Sequence, residues 1–99
     1  MNDRLLSLLG LMRRASKLTL GTDAVIDSVN NGESRLVLLT CDASERTREN
    51  LIHICQNGGV ECVVLSYDTQ TVGHAVGKWA KVLSVNDSGF AKAARSHIR

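Results

Sequence analysis

The sequence predicts an α/β protein, a three-layer α/β/α sandwich, on three observations. Short apolar runs alternate along the chain with helical patterns that are apolar on one side only. Two of those runs, Arg35 to Thr40 and Cys62 to Leu65, lack polar alternation, as strands covered on both faces do. The 99 residues include no proline, and the glycines are scattered, so nothing resembles a linker or a repeat. Buried strands require helices over both sheet faces, and residues 1–99 are expected to form one domain.

The elements follow in order. Leu5, Leu8, Leu9 and Met12 fall at i, i+3, i+4 and i+7, a helical stripe that Asn2 or Asp3 caps and Arg13 and Arg14 close. Leu18 to Leu20 reads as a short strand. Gly21 and Thr22 then offer a cap before Val25, Ile26 and Val29, and that second helix ends near Asn31-Gly32, where glycine suits a left-handed residue. After the strand at Arg35 to Thr40, Ser44 caps a third helix with Glu45 in its first turn. It turns Leu51, Ile54 and Cys55 inward and stops at Asn57-Gly58-Gly59. Cys62 to Leu65 is the next buried strand. Ser66 or Asp68 starts a fourth helix, with Val72, Ala75, Val76 and Trp79 again at i, i+3, i+4 and i+7. On that spacing Trp79 belongs to the core or its boundary. Lys81 to Val85 reads as a strand, and Asp87 or Ser88 caps a last helix bearing Phe90, Ala94 and Ile98. Strand order does not follow from any of this.

Most catalytic signatures are missing. There is no phosphate-binding loop, no G-x-G-x-x-G after a strand and no G-x-S-x-G elbow. His53, His74 and His97 lack metal-ligand spacing and fall on three different predicted helices, where surface or half-buried roles are expected. The three cysteines, Cys41, Cys55 and Cys62, are odd in number and form no C-x-x-C, so neither a disulfide framework nor a zinc site is indicated. Cys41, at a strand end, is a formal nucleophile, but neighbouring Asp42 opposes thiolate formation. Gly73 and Gly77 mark close packing or backbone approach. No run approaches the roughly 20 apolar residues that span a bilayer, and Leu5 to Met12 does not read as a secretion signal. No cofactor, metal or membrane is expected, and the reading is of a cytoplasmic protein that is not an enzyme.

Charge is uneven. The net value is only +2, but residues 1–20 carry Arg4, Arg13, Arg14 and Lys17 against Asp3, a balance of +3. Residues 71–99 carry Lys78, Lys81, Lys92, Arg95 and Arg99 against Asp87, a balance of +4. The middle holds the acids. Apposed chain ends would give one basic face, an electrostatic footprint for RNA, although Arg13, Arg14 and Lys17 also complement the first helix's dipole.

The strings L-L-G-L-M-R-R-A-S-K-L-T-L-G-T-D-A-V (Leu8 to Val25), R-L-V-L-L-T-C-D-A-S (Arg35 to Ser44), V-G-H-A-V-G-K-W-A-K-V (Val72 to Val82) and D-S-G-F-A-K (Asp87 to Lys92) cover most of the chain. Together they resemble the kink-turn-binding ribosomal-protein superfamily, which includes the archaeal protein "L seven Ae", and within it a bacterial branch of YlxQ type. The resemblance implies a four-stranded mixed sheet and a structured, kinked RNA as partner, ribosomal or regulatory, with ribosome association and a monomeric chain. It places RNA contacts at the N-terminus of the second helix and in the loop before the last strand. A helix N-terminus presents unpaired amides and a positive dipole end, and unstacked nucleotides at a bend are read largely by shape.

Carried over by residue, the resemblance implies an RNA-binding set of Gly21, Thr22, Asp23, Ala24 and Asp27, then Gly77, Lys78, Trp79, Ala80 and Lys81, flanked by Arg13, Arg14 and Lys17. Relatives read roughly G-T-N-E-x-x-K in the first of these loops. Here Asp23 keeps a hydrogen-bond acceptor, Ala24 offers no specific contact, and Asp27 presents the wrong sign to phosphate where the pattern has lysine. Lys78 and Lys81 are expected to neutralise phosphates, and Trp79, if free of the helix, to stack on a base. The alternative implied by Ala24 and Asp27 is a protein-interaction module on the same fold.

Overall fold

A computed structural model describes residues 3–98. Its elements are α1 (Arg4–Arg14), β1 (Leu18–Leu20), α2 (Thr22–Asn30), β2 (Leu36–Leu39), α3 (Glu45–Gly58), β3 (Cys62–Val64), α4 (Thr69–Val76), β4 (Val82–Val85) and α5 (Ser88–Arg95). The element order is the expected one. Asn2, the alternative cap of α1, and Arg99, counted among the C-terminal cations, lie outside the described residues.

The strands form one mixed sheet in the order β1-β4-β2-β3. β4 runs antiparallel to both β1 and β2, and β2 runs parallel to β3. β2 and β4 are central, and every residue in them is buried. Their side chains divide between two cores by alternation. Leu36, Leu38, Leu83 and Val85 pack with Leu5, Leu9 and Met12 of α1, Val72 and Val76 of α4, and Ala91 and Ala94 of α5. On the other face Val37, Leu39 and Val82 pack with Val25 and Val29 of α2 and Leu51 and Cys55 of α3. Two helices therefore cover one face and three the other, the sandwich that continuous apolar strands demand.

Helix ends follow the capping chemistry. Asp3, Ser44, Asp68 and Asp87 each accept a backbone N–H with their side chains at the starts of α1, α3, α4 and α5. Ser66 and Ser88, the competing candidates, are not the caps. α1 closes in a Schellman arrangement, with Lys17 N–H donating to the Met12 carbonyl at 2.9 Å and Ser16 N–H to that of Arg13 at 3.1 Å. α1 and α4 pack closely at Gly10, where a Cβ would lie 2.8 Å from the Ala75 carbonyl oxygen.

Four expectations are corrected. α4 stops at Val76, because Gly77 turns left-handed there (φ 83°), so Trp79 leaves the helical stripe and stands 63% exposed. β3 is an edge strand, and its residues are half-buried or exposed rather than covered on both faces. Lys81 precedes β4 instead of starting it. α5 ends at Arg95, which leaves His97 and Ile98 beyond the helix.

One polar group sits in the middle of the sheet. Ser84 of β4 is fully buried on the α2 face, with its Oγ 2.7 Å from both Ser34 Oγ and Asn86 Oδ1. Having one proton, it donates to only one of them at a time. Ser28 of α2 donates to the same Asn86 oxygen at 2.8 Å, and Asn86 Nδ2 donates to Thr19 Oγ1 of β1 at 2.6 Å. Each buried hydroxyl has a partner, as burial requires.

Candidate functional site

The β1–β4 pairing brings the two predicted contact segments together. Leu20 lies opposite Leu83, and Gly21 N–H donates to the Val82 carbonyl at 3.0 Å. The turn into α2 thus emerges beside the first residue of β4, directly after the segment Gly77 to Lys81. Gly21 has φ 101° and ψ 148°, a combination open essentially to glycine alone. As the N-cap it has no side chain to accept an amide, and α2 starts with no side-chain cap. Thr22, Asp23 and Ala24 are exposed at this end, as is Asp27 one turn further along. The site therefore pairs a positive helix end with a partial neutralisation by Asp23 and Asp27.

On the facing segment, Gly77, Lys78 and Trp79 are exposed and Ala80 is half-buried. The indole of Trp79 rests on Gly73, where any Cβ would collide with it, and meets the His74 ring edge-on at 6.4 Å and 73°. Gly73 is thus explained by packing, as expected. Of the three aromatic residues, Tyr67 and Phe90 are partly buried against the core, whereas Trp79 is exposed.

The basic residues sort into groups. Arg13 and Lys78 line, with Leu18 and Leu20, a shallow depression of about 240 Å³ beside β1. Arg14 instead lines a depression with Leu6, Ser7, Gly10 and Ala75, between α1 and α4. Lys17 lies at the far end of β1, where its carbonyl accepts Asn86 N–H at 2.9 Å. That end is roughly 13 Å along the strand from Gly21.

Lys81 is engaged within the chain. Its Nζ lies 3.3 Å from Asp42 Oδ2 and donates to Thr69 Oγ1 at 3.0 Å. Thr69 gives Asp42 both its backbone N–H, at 3.1 Å, and its hydroxyl, at 2.8 and 2.9 Å from the two oxygens. The hydroxyl of Thr40, with Thr69 and Lys81, holds the Asp42 carboxyl well below the usual carboxylate range against the opposing cost of desolvation. Asp42 and Thr69 were not among the expected site residues. The D-A-S string drew notice, but only the antiparallel pairing of Leu39 with Val82 puts Asp42 next to the contact loop, and strand order was not readable.

Among the described residues no cluster of three or more histidine, cysteine or acidic side chains is spaced to hold a metal, and no helix is long and apolar enough to cross a membrane. Hydrogen bonding to Cys55 and burial push the Cys62 thiol far up, away from a nucleophilic thiolate. Cys41 is exposed, and its N–H is bonded to the Tyr67 carbonyl.

The site thus sets an uncapped glycine turn against a loop of glycine, lysine and tryptophan on one edge of an α/β/α sandwich, the fold class that similar solved structures share. Residues 3–95 match the Ribosomal protein L7Ae/L30e/S12e/Gadd45 family, and the chain belongs to that family. It is 39% identical over 85 residues to the RNA-binding protein YlxQ of Bacillus subtilis (strain 168), spanning 85% of this chain and 84% of that one. It is 30% identical over 96 residues to the RNA-binding protein YlxQ of Enterococcus faecium, spanning 97% and 92%. Among solved structures, a Bacillus halodurans C protein of unknown function superposes with TM-score 0.90 at 34% identity, covering 96% of each chain. The Giardia lamblia 15.5kD RNA binding protein shares the fold, with TM-score 0.79 at 20% identity over 97% of this chain and 86% of that one. The expected family, its YlxQ-type branch and the mixed four-stranded sheet are thereby established.

Proposed function

We propose that this protein binds a structured, kinked RNA across the N-terminus of α2 and the Gly77 to Lys81 loop, without catalysing a reaction. The observation that carries the reading is the bond from Gly21 N–H to the Val82 carbonyl, which sets an uncapped helix start against a loop bearing Lys78 and an exposed indole. Family membership and the names of the YlxQ relatives support RNA as the ligand class. The helix start attracts phosphate or accepts base edges through Asp23, while Lys78 with Arg13 supplies cations and Trp79 a stacking surface.

The test is a binding titration against a kink-turn RNA and a straight duplex of equal length at two salt concentrations. Preference for the kinked RNA is expected. In the same assay Lys78→Ala lowers affinity at low salt and reduces the slope of log affinity against log salt by about 1, the signature of one lost phosphate contact. Equal, steeply salt-dependent binding to both RNAs would reduce the reading to nonspecific attraction. Binding to neither would favour the protein-interaction reading, which Ala24 and Asp27, both exposed on the same helix, motivate.

A further inference from the structure

We propose that Asp42 is a positioning residue for the contact loop, holding Lys81 against Thr69 so that Lys78 and Trp79 are presented in one arrangement; the consequence for RNA rests on the function proposed above. The loop has two soft points. Gly77 is left-handed at its start, and no regular element supports Lys78 to Lys81 before β4 begins. Its far end is fixed twice. Thr40 N–H donates to the Lys81 carbonyl at 2.9 Å, anchoring the backbone to the end of β2. The Lys81 ammonium is then held between Asp42 Oδ2 and Thr69 Oγ1 at 3.3 and 3.0 Å, anchoring the side chain to the start of α4. Both ends of the loop are thereby tied to α4; Lys81 is common to these contacts, and Asp42, which holds both Lys81 and Thr69, closes the cluster.

The geometry also divides the two lysines. An Asp42–Lys81 pair presents little net charge to a phosphate. Lys78 and Arg13 form no ion pair among the described residues, and they share the depression beside β1. Lys78 is the loop's electrostatic contact, and Lys81 its fastening.

A purely structural role for Asp42 is separable, because it also accepts the first amide of α4. Asp42→Asn keeps an oxygen for Thr69 N–H and removes the charge that holds Lys81. The chain's single tryptophan lies in the loop and reports on it directly. In RNA-free protein, Asp42→Asn and Lys81→Gln should each raise acrylamide quenching of Trp79 fluorescence. Against a kink-turn RNA each should weaken binding by roughly 3- to 5-fold, the scale of one exposed charge pair. The salt slope should stay unchanged, and the double variant should be no weaker than either single one.

Tighter binding of Asp42→Asn with a steeper salt slope would overturn the proposal, showing Asp42 as a competitor of RNA for Lys81. Unchanged quenching in both variants would overturn it too, leaving Asp42 as a second cap of α4. If wild-type protein shows no preference for kinked RNA, the functional reading falls with the affinity part of the proposal. The quenching of RNA-free Trp79 still decides whether Asp42 fastens the loop. Lys81→Gln leaves the Asp42 cap intact and carries the test if Asp42→Asn fails to fold.

Discussion

Trp79 shows how one backbone residue redirects a side chain. Its spacing from Val72 and Val76 suits a core helix position, but a left-handed Gly77 ends α4 and swings the indole out over Gly73. The ring then covers a glycine surface on one side and is 63% exposed overall. Stacking of one base on an aromatic ring contributes about 1–3 kcal/mol. Trp79→Ala should therefore weaken binding to the kinked RNA by about 10-fold or more, with little change in salt slope because no charge is lost. A filter-binding or anisotropy titration at two salt concentrations reads both quantities. An unchanged affinity would remove the indole from the interface.

At the scale of elements, two predictions follow from packing and capping. Gly10 lets α1 approach α4 until the Ala75 carbonyl is 2.8 Å from where a Cβ would sit. That neighbour is backbone and cannot rotate aside, so Gly10→Ala should destabilise by roughly 1–3 kcal/mol, the usual cost of overpacking, as read from urea denaturation. The start of α4 gives the second. Thr40, Thr69 and Lys81 lower the Asp42 carboxyl, and the Thr71 amide lowers that of Asp68. In each case the unfolded chain takes up the proton first, so the stabilisation is complete above the ordinary carboxylate value of about 4 and fades as pH falls below it. Denaturation midpoints should drop between neutral and about pH 3, and Asp42→Asn should flatten that drop. Equal pH dependence in wild type and variant would mean that the cluster does not stabilise the fold.

The same elements show what a linear sequence reveals. The i, i+3, i+4, i+7 stripes located α1 and α4, and acceptor side chains marked four of the five helix starts, because both signals are local. The half-exposed state of β3 was not legible. Cys62, Val63 and Val64 are as apolar as the central strands, and only their place at the sheet edge leaves them partly uncovered. Asp42 was hidden for a related reason, since Lys81 lies 39 positions away along the chain and only the β2–β4 pairing brings the two together.

For the molecule as a whole, the small net charge of +2 conceals a separation that folding only partly preserves. Arg13 and Lys78 converge on one depression, whereas Arg14 lines another and Lys17 lies at the opposite end of β1. Lys81 and Arg95 are paired with Asp42 and Glu61. The basic face is narrower than the counts imply, and Asp23 and Asp27 stand exposed at its border. Asp27→Lys reverses the unfavourable sign and should strengthen binding to the kinked RNA, with a salt slope steeper by about 1. Flat or weaker binding would show that position 27 does not face phosphate.

The buried serine of β4 has a further consequence for motion. A valine at Ser84 would let α2 slide over smooth apolar surface, but Ser28, Ser84 and Asn86 mesh only in one alignment, and Asn86 extends the linkage to Thr19 on β1. Displacing α2 by even one residue takes Ser28 away from Asn86 and strands its buried hydroxyl, at a cost of about 1–3 kcal/mol. The helix is thus keyed to the sheet from behind, like a peg in a notched rail. In the function proposed above, the bend of the RNA would then be fitted to a helix end held in place from behind.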